Sequence, residues 1–253
     1  MGFDVVAADY DRFMGRFAVP LAARTVEFLD PAPGERALDV GCGPGALAAA
    51  LVQRLGASAV AAVDPSPPFV AAAAARLPGV DVRIAAAELL PHDDHAFDLT
   101  VAQLAVHFMT DPVVGLAEMC RVTRPGGRVA ATVWDYGGSR SPLTTFWTAV
   151  HDLDPAARGE TGRAGTVRGQ LGELFRAAGL VPSVEDELGV RVRYGSFAEW
   201  WESYARRVGP AGDHVARLGP SAREALRRRC ADLLPRDGGF DVAATAWLVV
   251  AGR

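Results

Sequence analysis

The sequence predicts an α/β fold built on a mostly parallel sheet, and three consecutive features of its first third carry that prediction. Residues 37–45 read ALDVGCGPG, in which a short apolar run passes directly into a loop with three glycines. Leucines then recur at helical spacing, at Leu47, Leu51 and Leu55, in an alanine-rich run, so a helix follows the loop. A second apolar run covers residues 59–63. This order of strand, glycine loop, helix and strand is typical of parallel sheets with crossover helices.

The remaining elements continue this alternation up to residue 134. We predict further strands over 80–85, 97–104, 128–134, 184–194 (with a bulge at Gly189) and 245–251, and helices over 20–29, 67–77, 111–122, 142–153, 167–178, 197–207 and 221–234. Beyond residue 134 the alternation is interrupted by two insertions. We expect one domain over 1–253, with a core of about 30–134, 166–195 and 240–253, an N-terminal lid over 1–30, and helical caps over about 135–165 and 196–239.

Composition limits the protein class. The chain has 253 residues, half of them hydrophobic, which is enough to bury a large core. No window approaches the roughly 18 uncharged apolar residues of a membrane span, and the N-terminus lacks a secretory pattern, so we expect a cytoplasmic protein. A net charge of −4 gives no general attraction to nucleic acid or an anionic membrane. The three cysteines are widely spaced and fit neither a disulfide framework nor a zinc site: Cys42, Cys120 and Cys230.

The chain contains no lysine. A Walker phosphate loop needs a lysine for the phosphates, a pyridoxal enzyme needs one for its Schiff base, and short-chain reductases use a Tyr and Lys pair. The composition therefore excludes these three classes.

A nucleoside cofactor is predicted from the glycine loop and one acid. Glycines let the backbone approach a ligand, and the helix that follows presents unpaired N–H groups. Asp64 ends the second strand, nineteen residues after Gly45, where an acid can accept both hydroxyls of a ribose. The alternatives are that Asp64 is an ordinary turn residue, that Asp39 is a buried acid that caps the loop, and that Cys42 only fills space.

Other candidate residues lie at the strand ends and near the N-terminus. Gln103 and His107 follow the fourth strand at the carboxyl edge of the sheet, where ligands of open parallel sheets bind. The segment with Tyr10 and Arg16 is either a packed helix or a lid whose arginine meets a carboxylate. The acids and histidines of residues 92–95 are adjacent in sequence and have no partner cluster, so we expect no metal site.

In this order and spacing, the motifs resemble those of class I S-adenosylmethionine-dependent methyltransferases, in the branch that includes the quinone-biosynthesis enzymes. The motifs are ALDVGCGPG, Asp64, AELLP with Phe97-Asp98, and RVTRPGGRVAATVW. The resemblance covers residues 8–134 closely and the C-terminal strands more loosely. It implies a three-layer Rossmann-like sheet of seven strands, mostly parallel with an antiparallel C-terminal strand. It also implies S-adenosylmethionine as cofactor and methyl transfer to an O, N or C atom of a small molecule.

The resemblance also implies residue roles. The loop glycines would admit the methionine part of the cofactor, Asp39 would orient its amino group, Asp64 would bind the ribose, and Pro65 and the Ala87 N–H would meet the adenine. Many relatives have an acid where this chain has Ala86, so Glu88, backbone or water must replace that contact. The cofactor-binding set implied in this way is Tyr10, Arg16, Asp39, Gly41, Cys42, Gly43, Gly45, Asp64, Pro65, Ala86, Ala87, Glu88 and Gln103.

For an acceptor that must lose a proton, His107 is the first candidate base, and Tyr136 and His151 come second. His107 packed against its neighbours without a chemical role is the alternative. The cap aromatics predict an apolar acceptor pocket, or simply packed cap helices: Trp147, Trp200, Trp201 and Tyr204. A cofactor-binding protein without methyl transfer and a nicotinamide-dependent reductase remain the alternative functions.

Overall fold

The computed structural model describes residues 7–205, 208–235 and 238–253. Its strands are β1 (Ala37–Val40), β2 (Val60–Asp64), β3 (Asp81–Ile84), β4 (Phe97–Gln103), β5 (Thr123–Trp134), β6 (Val181–Tyr194) and β7 (Phe240–Gly252). Its helices are α1 (Ala7–Tyr10), α2 (Arg16–Leu29), α3 (Ala46–Leu55), α4 (Pro67–Arg76), α5 (Pro112–Val122), α6 (Thr144–Leu153), α7 (Gln170–Ala177), α8 (Phe197–Tyr204), α9 (Gly209–Arg217) and α10 (Pro220–Asp232). A π-helical turn, Asp11–Gly15, joins α1 to α2.

The strands form one seven-stranded sheet in the order β3-β2-β1-β4-β5-β7-β6. The first five strands pair in parallel, and β7 runs antiparallel to both β5 and β6. The predicted fold class is confirmed. Strand order reverses between β1 and β4, because the chain first builds outward through β2 and β3 and then returns to the other side of β1. Ligands of open α/β sheets bind at the carboxyl ends of the strands beside such a reversal.

Helices cover both faces of the sheet, which explains why β1 and β2 are buried throughout and, apart from one aspartate each, apolar rather than alternating. Neighbouring residues along a strand point to opposite faces. Leu38 and Val40 accordingly pack in one buried cluster with α5 and α7, whereas Ala37 packs in the other with α2 and α3. The two buried clusters on either side of the sheet give the three-layer arrangement.

The structure corrects several predicted element boundaries. Strand β5 begins directly after α5, at Thr123 rather than residue 128, because Thr123 pairs with Phe97. The irregularity in β6 lies between Pro182 and Val184, and not at Gly189, which pairs regularly with Thr245. A proline has no N–H to donate to the ladder, which accounts for the irregularity there.

Two further differences concern the helices. Helix α9 was not predicted, because its first residues are glycine and proline; Pro210 fits there, since the first turn of a helix needs no N–H from it. Helix α2 begins at Arg16 and continues through Pro20. Residues 1–6 of the predicted lid and residues 206–207 of the predicted helix over 197–207 lie outside the described residues.

Candidate active site

A cleft of about 530 Å³ opens at the carboxyl ends of β1, β2 and β4, beside the reversal of strand order. Most of the residues that the sequence predicted for a cofactor site line this cleft: Tyr10, Asp39, Gly41, Cys42, Gly43, Asp64, Pro65, Ala86, Ala87, Glu88 and Gln103. The sequence analysis did not single out other lining residues, among them Phe69, Leu104, Phe108, Met109 and Thr110. The predicted residues thus converge on one side of the sheet although they come from several loops.

The glycine loop is shaped by three left-handed backbone conformations. Gly41, Gly43 and Gly45 have φ of 74°, 54° and 93°, values that favour glycine. A Cβ on Gly41 would overlap the Cβ of Ala105, so this glycine permits close packing of the loop after β4. A Cβ on Gly43 would meet nothing within 4 Å, which leaves the loop open on that side.

Internal hydrogen bonds hold the glycine loop in place. The N–H groups of Gly41 and Cys42 donate to the Val63 carbonyl at 2.8 and 2.9 Å. The N–H of Gly43 donates to Oδ2 of Asp64 at 2.8 Å. These donors are therefore used to fix the loop, and the free helical N–H groups available to a ligand belong to the first turn of α3, where Ala46 and Leu47 line the cleft.

Asp39 is a buried carboxylate with one oxygen unused. It is 1% exposed, and its Oδ2 accepts from the Ala48 N–H at 2.9 Å. Its Oδ1 is buried and has no partner among the described residues. Burial raises the pKa of Asp39 to about 8. The hydrogen bond from the Ala48 N–H lowers this pKa, and the negative charge of the nearby Asp64 raises it. An orphaned buried oxygen at the cleft fits a ligand that carries a cationic or hydrogen-bonding group.

Asp64 ends β2 and is 7% exposed. Besides its bond to Gly43, its Oδ1 accepts from the Ser66 N–H at 2.8 Å. Burial raises the pKa of this carboxyl group, while the two backbone bonds act in the opposite direction. Each carboxylate oxygen can accept a second hydrogen bond, so Asp64 can hold the loop and still accept from a pair of ligand hydroxyls.

Three of the predicted residues line the cleft, but their polar groups are hydrogen-bonded within the protein or buried. Oε1 of Glu88 accepts from the N–H groups of Thr110 and Asp111, at 2.7 and 3.1 Å. Gln103 binds α2 through both ends of its amide: Nε2 donates to the Ala18 carbonyl at 3.0 Å and Oε1 accepts from Thr25 at 3.3 Å. The thiol of Cys42 is buried, and burial raises its pKa, so it stays protonated.

Two residues of the predicted cofactor set lie outside the cleft lining. Arg16 pairs with Glu199 at 2.5 Å, donates to the Arg193 carbonyl at 2.7 Å and stacks over the Tyr194 ring. Its guanidinium therefore joins the N-terminal helix to β6 and α8 instead of facing a cofactor. Gly45 caps α3, and a Cβ there would come within 3.0 Å of Leu77, so this glycine serves helix packing.

A second, smaller pocket of about 40 Å³ lies beside the cleft, and we call it the acceptor pocket after the role proposed for it below. It is lined by Tyr10, Phe13, Met14, Leu104, His107, Phe108, Trp134, Tyr136, Leu143, Glu160, Val208, Gly209, Pro210 and Ala211. Three of these residues also line the cleft: Tyr10, Leu104 and Phe108. Leu104 has φ of 59°, a conformation rare outside glycine. Strained backbone of this kind is concentrated at functional sites, and here it lies on the wall between the two cavities.

His107 lies in the acceptor pocket and not in the cleft. It is 5% exposed, its ring centroid is 4.0 Å from that of Phe108, and its Nδ1 has no partner among the described residues. Burial, reinforced by the charge of Arg163, lowers the pKa of His107 to about 3. The imidazole is therefore neutral at pH 7 and a much weaker base than an exposed histidine.

Sequence reasoning missed Glu160, a buried acid of the acceptor pocket. Glu160 is 2% exposed, accepts from Nε1 of Trp147 at 3.1 Å and is hydrogen-bonded to Tyr136. Burial raises the pKa of both Glu160 and Tyr136. No motif surrounds this residue in the sequence, and only the fold of the 135–165 cap brings it to the pocket.

The other candidates have structural contacts instead. The cap aromatics expected at the acceptor lie outside the pocket lining. Trp200 and Trp201 pack on Tyr204, with 4.7 Å between the ring centroids of Trp200 and Tyr204, whereas Trp147 stacks on His151. The ring of His151 contacts the Ala157 carbonyl at 3.1 Å, outside both cavities. Within the described residues, no group of His, Cys, Asp and Glu side chains could hold a metal ion, and no helix is long and apolar enough to cross a membrane.

Comparison with known proteins finds similar sequences among methyltransferases. A family model described as a methyltransferase domain matches residues 38–131. An uncharacterized methyltransferase of Mycobacterium bovis is 36% identical over 135 residues, which are 53% of this chain and 52% of that protein. The malonyl-acyl-carrier-protein O-methyltransferase of Geobacter sulfurreducens is 30% identical over 254 residues, covering 99% of this chain and 92% of that protein. The solved structure of the cyclase SpnF shares the fold, with a TM-score of 0.58 and 23% identity over 92% of this chain and 80% of that one.

The sheet order, the cleft beside the reversal and the glycine loop with its two acids define a nucleoside-binding α/β protein. The full-length match identifies the family: the chain belongs to the class I S-adenosylmethionine-dependent methyltransferases. The chain also spans about half the length of the first of the curated relatives it matches.

Proposed function

We propose that the protein binds S-adenosylmethionine in the cleft and transfers its methyl group to an oxygen atom of a small, largely apolar molecule whose hydroxyl end enters the acceptor pocket. The observation that carries this proposal is the shared wall of the two cavities, formed by Tyr10, Leu104 and Phe108. A methyl donor and an acceptor must meet across a short distance, and adjoining cavities provide that arrangement. The oxygen acceptor is supported by the relative of similar length, which is named an O-methyltransferase.

The residues of the cleft fit this cofactor. The orphaned Oδ1 of Asp39 can accept from an amino group, and the open side of Gly43 leaves room for a ligand beside the loop. Asp64 retains capacity for ribose hydroxyls. The exposed Ala86 offers only a methyl group, so the Ala87 backbone and Pro65 are left to contact the adenine.

When held by Asp39 and Asp64 in the cleft, S-adenosylmethionine would supply an electrophilic methyl group and would leave as S-adenosylhomocysteine, and the proton lost by the acceptor hydroxyl would pass to solvent. The task of the protein is alignment, and proximity and orientation alone can lower such a barrier by about 7 to 11 kcal/mol. The lowered pKa of the buried His107 counts against its predicted role as a general base. We propose that its Nδ1 serves as a hydrogen-bonding group in the acceptor pocket.

The quinone-biosynthesis branch suggested by the sequence enters as a narrower proposal about the acceptor. It is supported by the apolar, aromatic lining of the pocket, which includes Phe13, Trp134 and Tyr136. Hydroxylated quinone-like aromatics are therefore the first compounds to test.

Asp64→Asn tests the cofactor site. The variant should bind S-adenosylmethionine about ten- to a hundredfold more weakly in calorimetric titration, because hydrogen bonds to a charged partner are lost. Asp81→Asn is the matched control, since Asp81 is exposed on β3, where it pairs with Arg83 at 2.6 Å. Equal affinity in the wild type and in Asp64→Asn would contradict the assignment.

The same titrations, together with a product assay, distinguish the alternative functions. A nicotinamide-dependent reductase would bind NADPH in place of S-adenosylmethionine. A cofactor-binding protein without catalysis would bind S-adenosylmethionine and produce no S-adenosylhomocysteine with any member of a panel of hydroxylated aromatics. Binding with measurable product would establish methyl transfer.

A further inference from the structure

The acceptor pocket has a polar end in an otherwise apolar lining. Glu160, Tyr136 and His107 lie there among aliphatic and aromatic side chains. At about 40 Å³ the pocket has room for a small polar head group or a few waters. Recognition in such a space depends on the few polar groups that line it.

These polar groups offer both hydrogen-bond donors and acceptors. Two lining side chains have a buried polar atom without a partner among the described residues: Nδ1 of His107 and Nε1 of Trp134. The indole N–H can only donate. The Glu160 carboxyl group accepts from Trp147 and is hydrogen-bonded to Tyr136, which leaves acceptor capacity on its oxygens. A ligand that satisfies both kinds of group must itself accept and donate.

The surroundings also disfavour a charged ligand. Burial raises the pKa of Glu160 and, with the charge of Arg163, lowers the pKa of His107, so a negative and a positive charge are both penalised in this space. The Arg163 guanidinium stacks over the Phe108 ring, 4.8 Å from its centroid, and Arg163 is not among the lining residues. A carboxylate would accept only and would meet the acid, whereas an ammonium would donate only.

We propose that the acceptor pocket selects an uncharged molecule that carries a hydroxyl group, and that Glu160 is the specificity-determining residue that binds this hydroxyl. The proposal rests on the methyl-transfer function proposed above and deepens it. A neutral hydroxyl donates to the Glu160 carboxyl group and accepts from an N–H such as that of Trp134. The substrate class is therefore phenols and related neutral hydroxyl compounds, and not carboxylic acids or amines.

The test compares three single-ring probes that differ in their polar group, phenol, benzoate and benzylamine, by calorimetric titration of the protein with and without bound S-adenosylhomocysteine. We expect phenol to bind best. Glu160→Gln keeps the size of the side chain but has only one acceptor oxygen. The hydrogen bonds to Trp147 and Tyr136 occupy that oxygen, so less acceptor capacity is left for phenol. The variant should weaken phenol binding about tenfold while the affinity for S-adenosylhomocysteine stays unchanged. Glu27→Gln is the control, because Glu27 is 77% exposed on α2 and should leave phenol binding unchanged.

Methyl transfer from labelled S-adenosylmethionine to each probe gives a second readout, in which Glu160→Gln should raise KM for phenol more than it lowers kcat. Preferential binding of benzoate or benzylamine, no binding of phenol, or equal phenol affinity in the wild type and in Glu160→Gln would each overturn the proposal. These outcomes are distinct from failure of the proposed function, which is read from the titration with S-adenosylmethionine and from the formation of S-adenosylhomocysteine with the panel of hydroxylated aromatics. The probe titrations without bound S-adenosylhomocysteine still test the pocket if the protein does not bind S-adenosylmethionine.

Discussion

At the scale of single residues, buried carboxyl groups mark both cavities. Asp39 and Asp64 lie at the cleft, and Glu160 lies at the acceptor pocket. Burying an acid is costly unless hydrogen bonds or positive charge compensate it. Asp64 has two backbone donors, whereas Asp39 leaves one oxygen without a partner. The incomplete compensation of Asp39 suits a group that a ligand completes.

Gly41 provides a test of the loop at the same scale. Gly41→Ala should lower the free energy of unfolding by about 1 to 2 kcal/mol for the left-handed backbone and by about 1 to 3 kcal/mol more for the overlap with Ala105. Gly34→Ala is the matched control, because Gly34 has φ of 92° and nothing within 4 Å of an added Cβ. Urea denaturation measures both variants. Equal losses would show that the contact with Ala105 is unimportant.

The cofactor-site residues that the sequence identified and the structure brings to the cleft belong to local motifs. Asp39 is the third residue of β1, just before the glycine loop, and Asp64 ends β2, so their positions follow from neighbours within a few residues. The role of Glu160 depends on a cap loop that meets distant elements, and no periodic pattern announces it. The contacts of Arg16 could not be predicted for the same reason, because its partners Glu199 and Arg193 lie more than 170 residues away in sequence.

At the scale of elements, the link between the sheet and the first cap depends on one buried acid. Asp135 follows β5 and is 0% exposed. Its Oδ1 accepts from the Gly138 N–H at 2.7 Å, and its Oδ2 accepts from Nε of Arg140 at 2.6 Å. The backbone of Arg140 also accepts from the Thr245 N–H at 2.8 Å. The start of the 135–165 cap is thereby tied to β7, and the cap that supplies Glu160 is held to the sheet.

Arg140→Gln tests this link. The change leaves the buried Asp135 carboxylate without its charged partner, and we expect a loss of about 1 to 3 kcal/mol in the free energy of unfolding. Arg228→Gln is the control, because its 2.9 Å pair with Glu224 on α10 is exposed and should contribute within about 0.5 kcal/mol. Chemical denaturation at pH 7 compares the two variants. If the losses match, the buried pair does not hold the cap.

Element boundaries show the same limit of sequence information. Strands β1, β2 and β4 were predicted well because both of their faces are buried and most of their residues are apolar. Strands β6 and β7 extend beyond the predicted runs because each added end pairs with the other strand: residues 240–244 pair with residues 190–194, and Val181 and Pro182 pair with Gly252 and Ala251. Backbone pairing between distant segments, rather than local composition, sets those ends.

At the scale of the whole molecule, acids with raised and lowered pKa values are separated in space. The carboxyl groups with lowered pKa lie on the surface in arginine pairs or accept backbone hydrogen bonds: Asp94, Asp98, Glu118 and Glu199. Those with raised pKa line the two cavities: Asp39, Asp64 and Glu160. The surface acids are ionised in both the folded and the unfolded states above about pH 6, so they leave the stability unchanged from there to about pH 8. Three histidines have lowered pKa values and add stability as the pH rises to about 7: His92, His107 and His214. A loss of stability between about pH 7 and 8 should therefore come from the cavity acids.

The raised pKa of Asp39 predicts the direction in which the stability changes with pH. Its pKa of about 8 in the folded protein exceeds the ordinary value of 3.8, so the folded state holds the proton more tightly than the unfolded chain. The resulting stability is complete below pH 4 and is lost as the pH rises to 8, with a slope of at most about 1.4 kcal/mol per pH unit. Asp39→Asn should flatten this part of the curve in urea denaturation at a series of pH values. Saturating S-adenosylmethionine should flatten it in the wild type too, because its positive charge stabilises the ionised carboxylate. A wild-type curve as flat as that of Asp39→Asn would mean that Asp39 is already ionised in the free protein.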